Sequence, residues 1–278
     1  MRIGLFVFFT SIALIGVSQD SLNYSWTERL TIDLDSSDLW NIDRLEYHYV
    51  SDGRTINKLD STGEVRFTQS VRSSGGLATL EPINTMKLVH FSQEQQTLCF
   101  FDNTLSLYQD CIDLLDANII NASLICSSSQ SDRVWVLDQL NSTLTQVVFS
   151  GDIPSVNVQN LAGILDVDEV VSIAEVDERL FLLDGTRGVY QFDLFGSFVD
   201  FHTFEIDDSL EKAVDFDVAG NSLFLLINNI LILQSMVSDE SLEIALPVEG
   251  VFDFKIINKA IFLRTSKTVH KFELQFLK

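Results

Sequence analysis

Val189-Tyr-Gln-Phe-Asp-Leu-Phe-Gly196 is one of three segments of this chain written in the same frame. Ile56-Asn-Lys-Leu-Asp-Ser-Thr-Gly63 and Leu144-Thr-Gln-Val-Val-Phe-Ser-Gly151 match it, with an aliphatic residue first, Lys or Gln third, an apolar residue fourth and Gly eighth. Such alternation describes a strand that runs into a turn, where Gly takes the positive φ that other residues resist. A second, more apolar type of strand recurs ahead of these: Leu98-Cys-Phe-Phe-Asp, Val134-Trp-Val-Leu-Asp, Leu180-Phe-Leu-Leu-Asp, Leu223-Phe-Leu-Leu-Ile and Ile261-Phe-Leu-Arg. Leu45-Glu-Tyr-His-Tyr is a weaker first member. The starts of these strands recur about every 43 residues, the length of a four-stranded propeller blade. Seven residues ahead of four of the starts stand Phe91, Ile173, Phe216 and Phe254, each flanked by smaller or polar residues, which marks the innermost strand.

Six such units predict an all-β chain folded as a single six-bladed β-propeller of four-stranded antiparallel blades over residues 19–278. Two packed sheets built from the same hairpins would not space them evenly. The last unit offers Val251–Ile257, Ala260–Ser266 and Thr268–Leu274, then ends at Lys278 without a fourth strand. Arg29–Leu34, placed ahead of the first blade, supplies that outer strand and closes the ring.

With 46% hydrophobic and 21% charged residues in 278, the chain has enough apolar side chains for a sizeable core. Forty acidic residues against 18 Lys and Arg give a net charge of −22, which repels a phosphate backbone and argues against nucleic acid as a partner. Arg2, the apolar run Gly4–Val17 and then Ser18 and Gln19 read as a signal peptide over residues 1–18. The run rises about 21 Å as a helix, short of the roughly 30 Å of bilayer hydrocarbon. No Cys follows it, so no lipobox is available. The expectation is an exported protein, periplasmic or outer-membrane-associated, that meets the membrane only through a partner. Three cysteines are too few for a disulfide scaffold. A tight turn at Asn103 and Thr104 would set Cys99 opposite Tyr108, three places short of Cys111, so Cys99 and Cys111 read as buried thiols.

Val214-Asp-Phe-Asp-Val-Ala-Gly-Asn-Ser-Leu-Phe-Leu-Leu and the segment ending at Gly196 resemble NHL-type repeats of bacterial six-bladed propellers, including the TolB-like fold class. Propellers of this architecture include enzymes, sensors and docking proteins. Sugar-lactonase relatives bind a divalent metal at the channel mouth, and the resemblance implies Asp215, Asp217, Asp253 and Glu175 as candidate calcium ligands. The repeat frame puts His90, Ser172, Asp215 and Asp253 at equivalent inner positions, and Ser92, Ala174, Asp217 and Lys255 two residues on. The plainer reading of these polar residues is a water-filled channel in which Lys255 pairs with carboxylates.

Other chemistry is sparse. None of the four histidines stands in an HxH or HExxH arrangement, and neither a Gly-x-Ser-x-Gly elbow nor a phosphate-binding Gly-rich loop occurs. The acidic runs at Asp33–Asp38, Asp166–Glu169, Glu175–Glu178 and Glu205–Asp208 read as solvated loops or an acidic docking rim. No catalytic set and no cofactor site emerges. The expectation is a non-catalytic interaction or scaffold module of the bacterial cell envelope, with an envelope protein as partner. The alternatives are a calcium-dependent hydrolase or lactonase working at the channel mouth, and a sensor that binds a glycan or other ligand.

Overall fold

Alternation along each strand sends successive side chains to opposite faces of a sheet, and in this chain both faces of the second strands are apolar. In Arg179–Asp184, Leu180 and Leu182 pack into one cluster while Phe181 and Leu183 pack into another. The two clusters lie on either side of the blade, so the run Leu-Phe-Leu-Leu is the signature of a sheet stacked between two neighbours. Arg133–Asp138 behaves alike, with Trp135 and Leu137 on one side and Val134 and Val136 on the other.

The computed structural model describes residues 24–36, 38–72, 76, 79–130, 132–149, 156–204, 212–238 and 240–276. The signal-peptide reading of residues 1–18, Gly151 of the repeat and the acidic run Glu205–Asp208 lie outside the described residues. Strand β1 (Tyr24–Asp33) precedes the first blade. Blade 1 is β2 (Leu39–Ile42), β3 (His48–Ser51), β4 (Thr55–Leu59) and β5 (Val65–Ser70). Blade 2 is β6 (Thr79–Asn84), β7 (Lys87–Ser92), β8 (Thr97–Asp102) and β9 (Ile112–Asp113). Blade 3 is β10 (Ala122–Ser127), β11 (Arg133–Asp138), β12 (Thr143–Val148) and β13 (Val156–Val158). Blade 4 is β14 (Val170–Val176), β15 (Arg179–Asp184), β16 (Gly188–Asp193) and β17 (Phe198–Thr203). Blade 5 is β18 (Asp215–Ala219), β19 (Ser222–Ile227), β20 (Ile230–Ser235) and β21 (Ser241–Ala245). Blade 6 is β22 (Asp253–Ile257), β23 (Ala260–Arg264) and β24 (Thr268–Phe276), with β1 as its fourth strand. All pairings are antiparallel, and the first strands of successive blades lie side by side around the centre. The molecule is a six-bladed β-propeller.

The expected closure is present and longer than Arg29–Leu34. Pairing runs from Tyr24 opposite Phe276 to Asp33 opposite Thr268, with one irregularity between Glu28 and Leu30. Arg264, 1% exposed, bridges the closing blade to the loop that leads from β1 into β2. Its Nη2 donates to the carbonyls of Asp35 at 3.2 Å and Asp38 at 3.1 Å.

Blade 2 departs from the reading above. Leu98–Asp102 belongs to the third strand, β8, and the second strand is β7. Phe91, His90 and Ser92 therefore sit on β7, and the inner strand is β6. Leu98 to Leu105 keeps the aliphatic first and apolar fourth residue of the frame but has Phe100 in place of Lys or Gln, and Asp102 Oδ1 accepts from the amides of Thr104 and Ser106 at 2.8 and 2.9 Å. The Gly position is filled by Leu105, at φ 63 and fully buried, so the frame is masked. Pro82 further disguises β6, since proline is tolerated only where a strand edge needs no donor. In blade 1 the second strand begins at His48, and Leu45 lies in the preceding turn. Second strands start at His48, Lys87, Arg133, Arg179, Ser222 and Ala260, steps of about 42 residues.

The cysteine reading is overturned: Cys99 and Cys111 form a disulfide, with their Cα atoms 4.3 Å apart. The register changes within the hairpin. Phe101 pairs with Leu107 near the turn, yet Leu98 pairs with Ile112 further out. Two looped-out residues thus carry Cys111 opposite Cys99. Cys126 is a buried free thiol whose pKa burial pushes up.

The Gly that ends the repeat does more than admit a turn. At Gly196, φ 82, a Cβ would lie 2.0 Å from Cγ2 of Val158 on the outer strand of blade 3. At Gly63, φ 85, it would lie 3.4 Å from Cγ1 of Ile32 on β1, an ordinary contact. Gly63→Ala should cost about 1 kcal/mol from backbone conformation. Gly196→Ala should cost at least about 2 kcal/mol, because overpacking adds to it. Urea unfolding of the two variants checks this ranking, and equal losses would contradict the close blade-to-blade contact.

Candidate functional site

Turns β2–β3, β6–β7, β10–β11 and β14–β15 stand at the same end of the ring and surround a central cavity of about 470 Å³. Its wall carries Glu81, Glu175, Asp217 and Lys255, with Arg44 and Asp177 at the rim. Inner strands place these residues because their channel-facing positions have no apolar neighbour to pack against.

Most of these carboxylates bind the neighbouring blade. Glu81 of β6 accepts from the Ser127 amide at 2.9 Å and from Asn41 Nδ2 at 3.1 Å, which links blade 2 to blades 3 and 1. Burial raises its pKa. Glu175 of β14 turns to blade 3, where it accepts from Ser128 Oγ at 2.7 Å, the Ser129 amide at 2.8 Å and Trp135 Nε1 at 2.6 Å, and also from Ser129 Oγ. Asp217 of β18 accepts from the Ile256 amide of blade 6 at 2.8 Å and from the Val218 amide at 2.8 Å. Asp215, two residues earlier on the same face, accepts from Ser172 Oγ of blade 4 at 3.2 Å and the Phe254 amide of blade 6 at 3.3 Å.

Three of the four sequence candidates gather around one cation. Lys255 Nζ lies 3.8 Å from Asp215 and 3.8 Å from Asp253. Burial would lower the Lys255 pKa, but Asp215, Asp253 and Asp217 together raise it. Burial also pushes the Asp217 and Asp253 carboxyls upward, against the pull of Lys255. Glu175 stands apart from this group in its own set of donors. Among the described residues, no group of three or more His, Cys, Asp or Glu is arranged to hold a metal ion. His90, placed by sequence at an inner position, is fully buried on β7 beside Phe101, and burial depresses its pKa to about 4. Glu81 escaped notice because Pro82 hid its strand. A signal was available in Leu88-Val-His-Phe91, which reads as a second strand and would have moved the inner strand back to Glu81. The tryptophans serve the seams: Trp135 and Trp40 are buried, and Trp26 Nε1 donates to the Ala245 carbonyl of blade 5 at 3.0 Å.

No protein-family model and no curated protein sequence matches this chain. Solved structures do. A streptogramin B lyase aligns with a TM-score of 0.61 at 10% identity, covering 91% of this chain and 98% of its own. BamB from Moraxella catarrhalis aligns with a TM-score of 0.54 at 9% identity, covering 90% and 98%. The WD40 domain of Pan2 from Neurospora crassa aligns with a TM-score of 0.64 at 6% identity, covering 91% and 98%. Likeness at such identities is a likeness of fold.

Removing the central cation tests the electrostatics. A carboxyl whose folded pKa is raised contributes stability below its unfolded pKa and loses it as pH rises through the folded value. Asp217 and Asp253 are of this kind, and without the ammonium they rise further. Lys255→Met should therefore cost about 3 kcal/mol near neutral pH, where buried carboxylates are left unpaired, and less near pH 5. Urea unfolding at the two pH values measures the difference. A penalty independent of pH would contradict the role given to Lys255.

Proposed function

We propose that this protein is a non-catalytic interaction module, a subunit of an assembly in the bacterial cell envelope. The observation that carries the reading is the use of the channel side chains. Glu81, Glu175, Asp215 and Asp217 take their hydrogen bonds from adjacent blades. Side chains so committed hold a ring together, and they leave the loop-built faces as the surfaces available to a partner. The shared fold does not decide between catalysis and binding, because a lyase and a WD40 domain both appear among the structural neighbours.

Export is part of the proposal and rests on Arg2 and the apolar run Gly4–Val17. The Cys99–Cys111 bond supports it, since disulfides persist in oxidising compartments. Membrane contact then passes through the partner.

Mild crosslinking of the tagged full chain in its native envelope, followed by recovery and identification, tests the reading. One partner should be recovered in a fixed ratio. Phe195→Ser, at a turn residue 84% exposed, should reduce recovery several-fold if that end of the ring is used, without a change in melting temperature. A chain recovered alone from the envelope, with calcium binding in calorimetry that Asp217→Asn abolishes, would replace this reading with metal-dependent chemistry at the channel.

A further inference from the structure

On the same end of the ring as the channel mouth, blades 1 and 2 enclose a groove of about 530 Å³, within the range of ligand-binding clefts. Leu45, Met86 and Phe67 form its walls and come from two turns and the outer strand β5. They are 62%, 56% and 39% exposed, so apolar surface from three separate segments converges where water must cover it. The groove also contains a buried cation. Lys58 is 3% exposed, and its Nζ lies 4.5 Å from the centre of the Tyr47 ring and 5.3 Å from that of Tyr49. Of the three hydrogen bonds an ammonium can donate, it makes one among the described residues, to the Asn103 carbonyl at 3.2 Å. Burial lowers its pKa, and Asp43 and Asp102 offset this only in part. Arg66 lines the groove too, but is committed to Asp60 and Glu64.

Two further facts define an occupant. β5 is the outer strand of blade 1, unpaired along one edge among the described residues, and Val65 to Thr68 are exposed in succession. Such an edge accepts an extended chain through main-chain hydrogen bonds, with alternate side chains filling the pockets beside it. In a protein of net charge −22 the general field repels anions, so a desolvated ammonium in an apolar groove selects for one well-placed carboxylate.

We propose that the groove between blades 1 and 2 docks an extended segment of a partner protein carrying a bulky apolar side chain and, two residues away on the same face, a carboxylate. This rests on the interaction reading above and names the chemistry of the partner. The apolar side chain lies among Leu45, Phe67 and Met86, and the carboxylate meets Lys58.

The probe is an array of acetylated heptapeptides, Ser-Thr-X-Thr-Z-Thr-Ser, with every pair of residues at X and Z, overlaid with the purified full chain. Retention should concentrate where X is Phe, Leu or Met and Z is Asp or Glu, with the order of X and Z free. Met86→Ser, at an exposed turn, and Phe67→Ser should each lower the affinity of the best peptide at least fivefold, read by fluorescence anisotropy. Lys58→Met should remove the preference for the acidic residue while leaving that for the apolar one. No retention, retention without regard to Z, selection of Lys or Arg at Z, or a pattern unchanged in the Met86 and Phe67 variants would overturn the proposal. Recovery of an envelope partner together with an array that shows no such preference would retire the groove and leave the interaction reading standing. An array preference with the chain recovered alone would do the reverse.

Discussion

The structure depends on the antiparallel pairing of β1 with β24, which joins the two ends of the described chain into one blade. Each blade buries its apolar faces only against neighbours, so an open row of six would leave two faces in water. Six apolar clusters fill the six seams instead, and the seam between blades 6 and 1 exists because the clasp exists. There Ile32 of β1 packs with Trp40 and Ile42 of β2 and with Phe262 of β23. Arg264 holds the loop that links β1 to β2 by two carbonyls, an arrangement that uses a buried cation as a hydrogen-bond donor.

At the channel the same requirement appears in polar form. Among the described residues, inner strands have one edge that pairs with no further strand, and side-chain carboxylates from the preceding blade take some of those backbone donors. Glu81 takes Ser127, Asp217 takes Ile256 and Asp215 takes Phe254. Buried amides left without partners would each cost about 1 to 3 kcal/mol. The acidic residues of the channel thus follow from the geometry of closure, and the most distinctive unfilled chemistry of the ring lies off the axis, where Lys58 sits beneath exposed Leu45, Phe67 and Met86.

The propeller was legible in the sequence because two physical signals repeat. Second strands are apolar on both faces, and the turns after the third strands β4, β8 and β16 hold a residue at positive φ, Gly63, Leu105 and Gly196. β4, β12 and β16 fall where the frame ending at Gly63, Gly151 and Gly196 puts them, and the closing strand β1 takes in Arg29–Leu34 up to Asp33. The frame failed in blade 2, where burial of Leu105 compensates for a conformation that favours Gly, and where Pro82 sits in the inner strand. The disulfide was hidden by a register change that only the folded hairpin reveals. The same frame brought Asp215, Asp217 and Asp253 to one place but misplaced His90, and it missed Glu81. Which donors each carboxylate would meet depends on blade-to-blade contacts between residues about 40 apart in the chain, and such contacts leave no local pattern.

Native-state hydrogen exchange of the intact protein tests the claim that the clasp sustains the whole ring. If it does, amides of β24 paired to β1 and amides of the seam strands β7, β11 and β19 should open together, with a common free energy equal to that of global unfolding. Exchange of the β1–β24 amides at much lower free energy, while the other blades stay protected, would show that the ring stands without its clasp and would contradict this account.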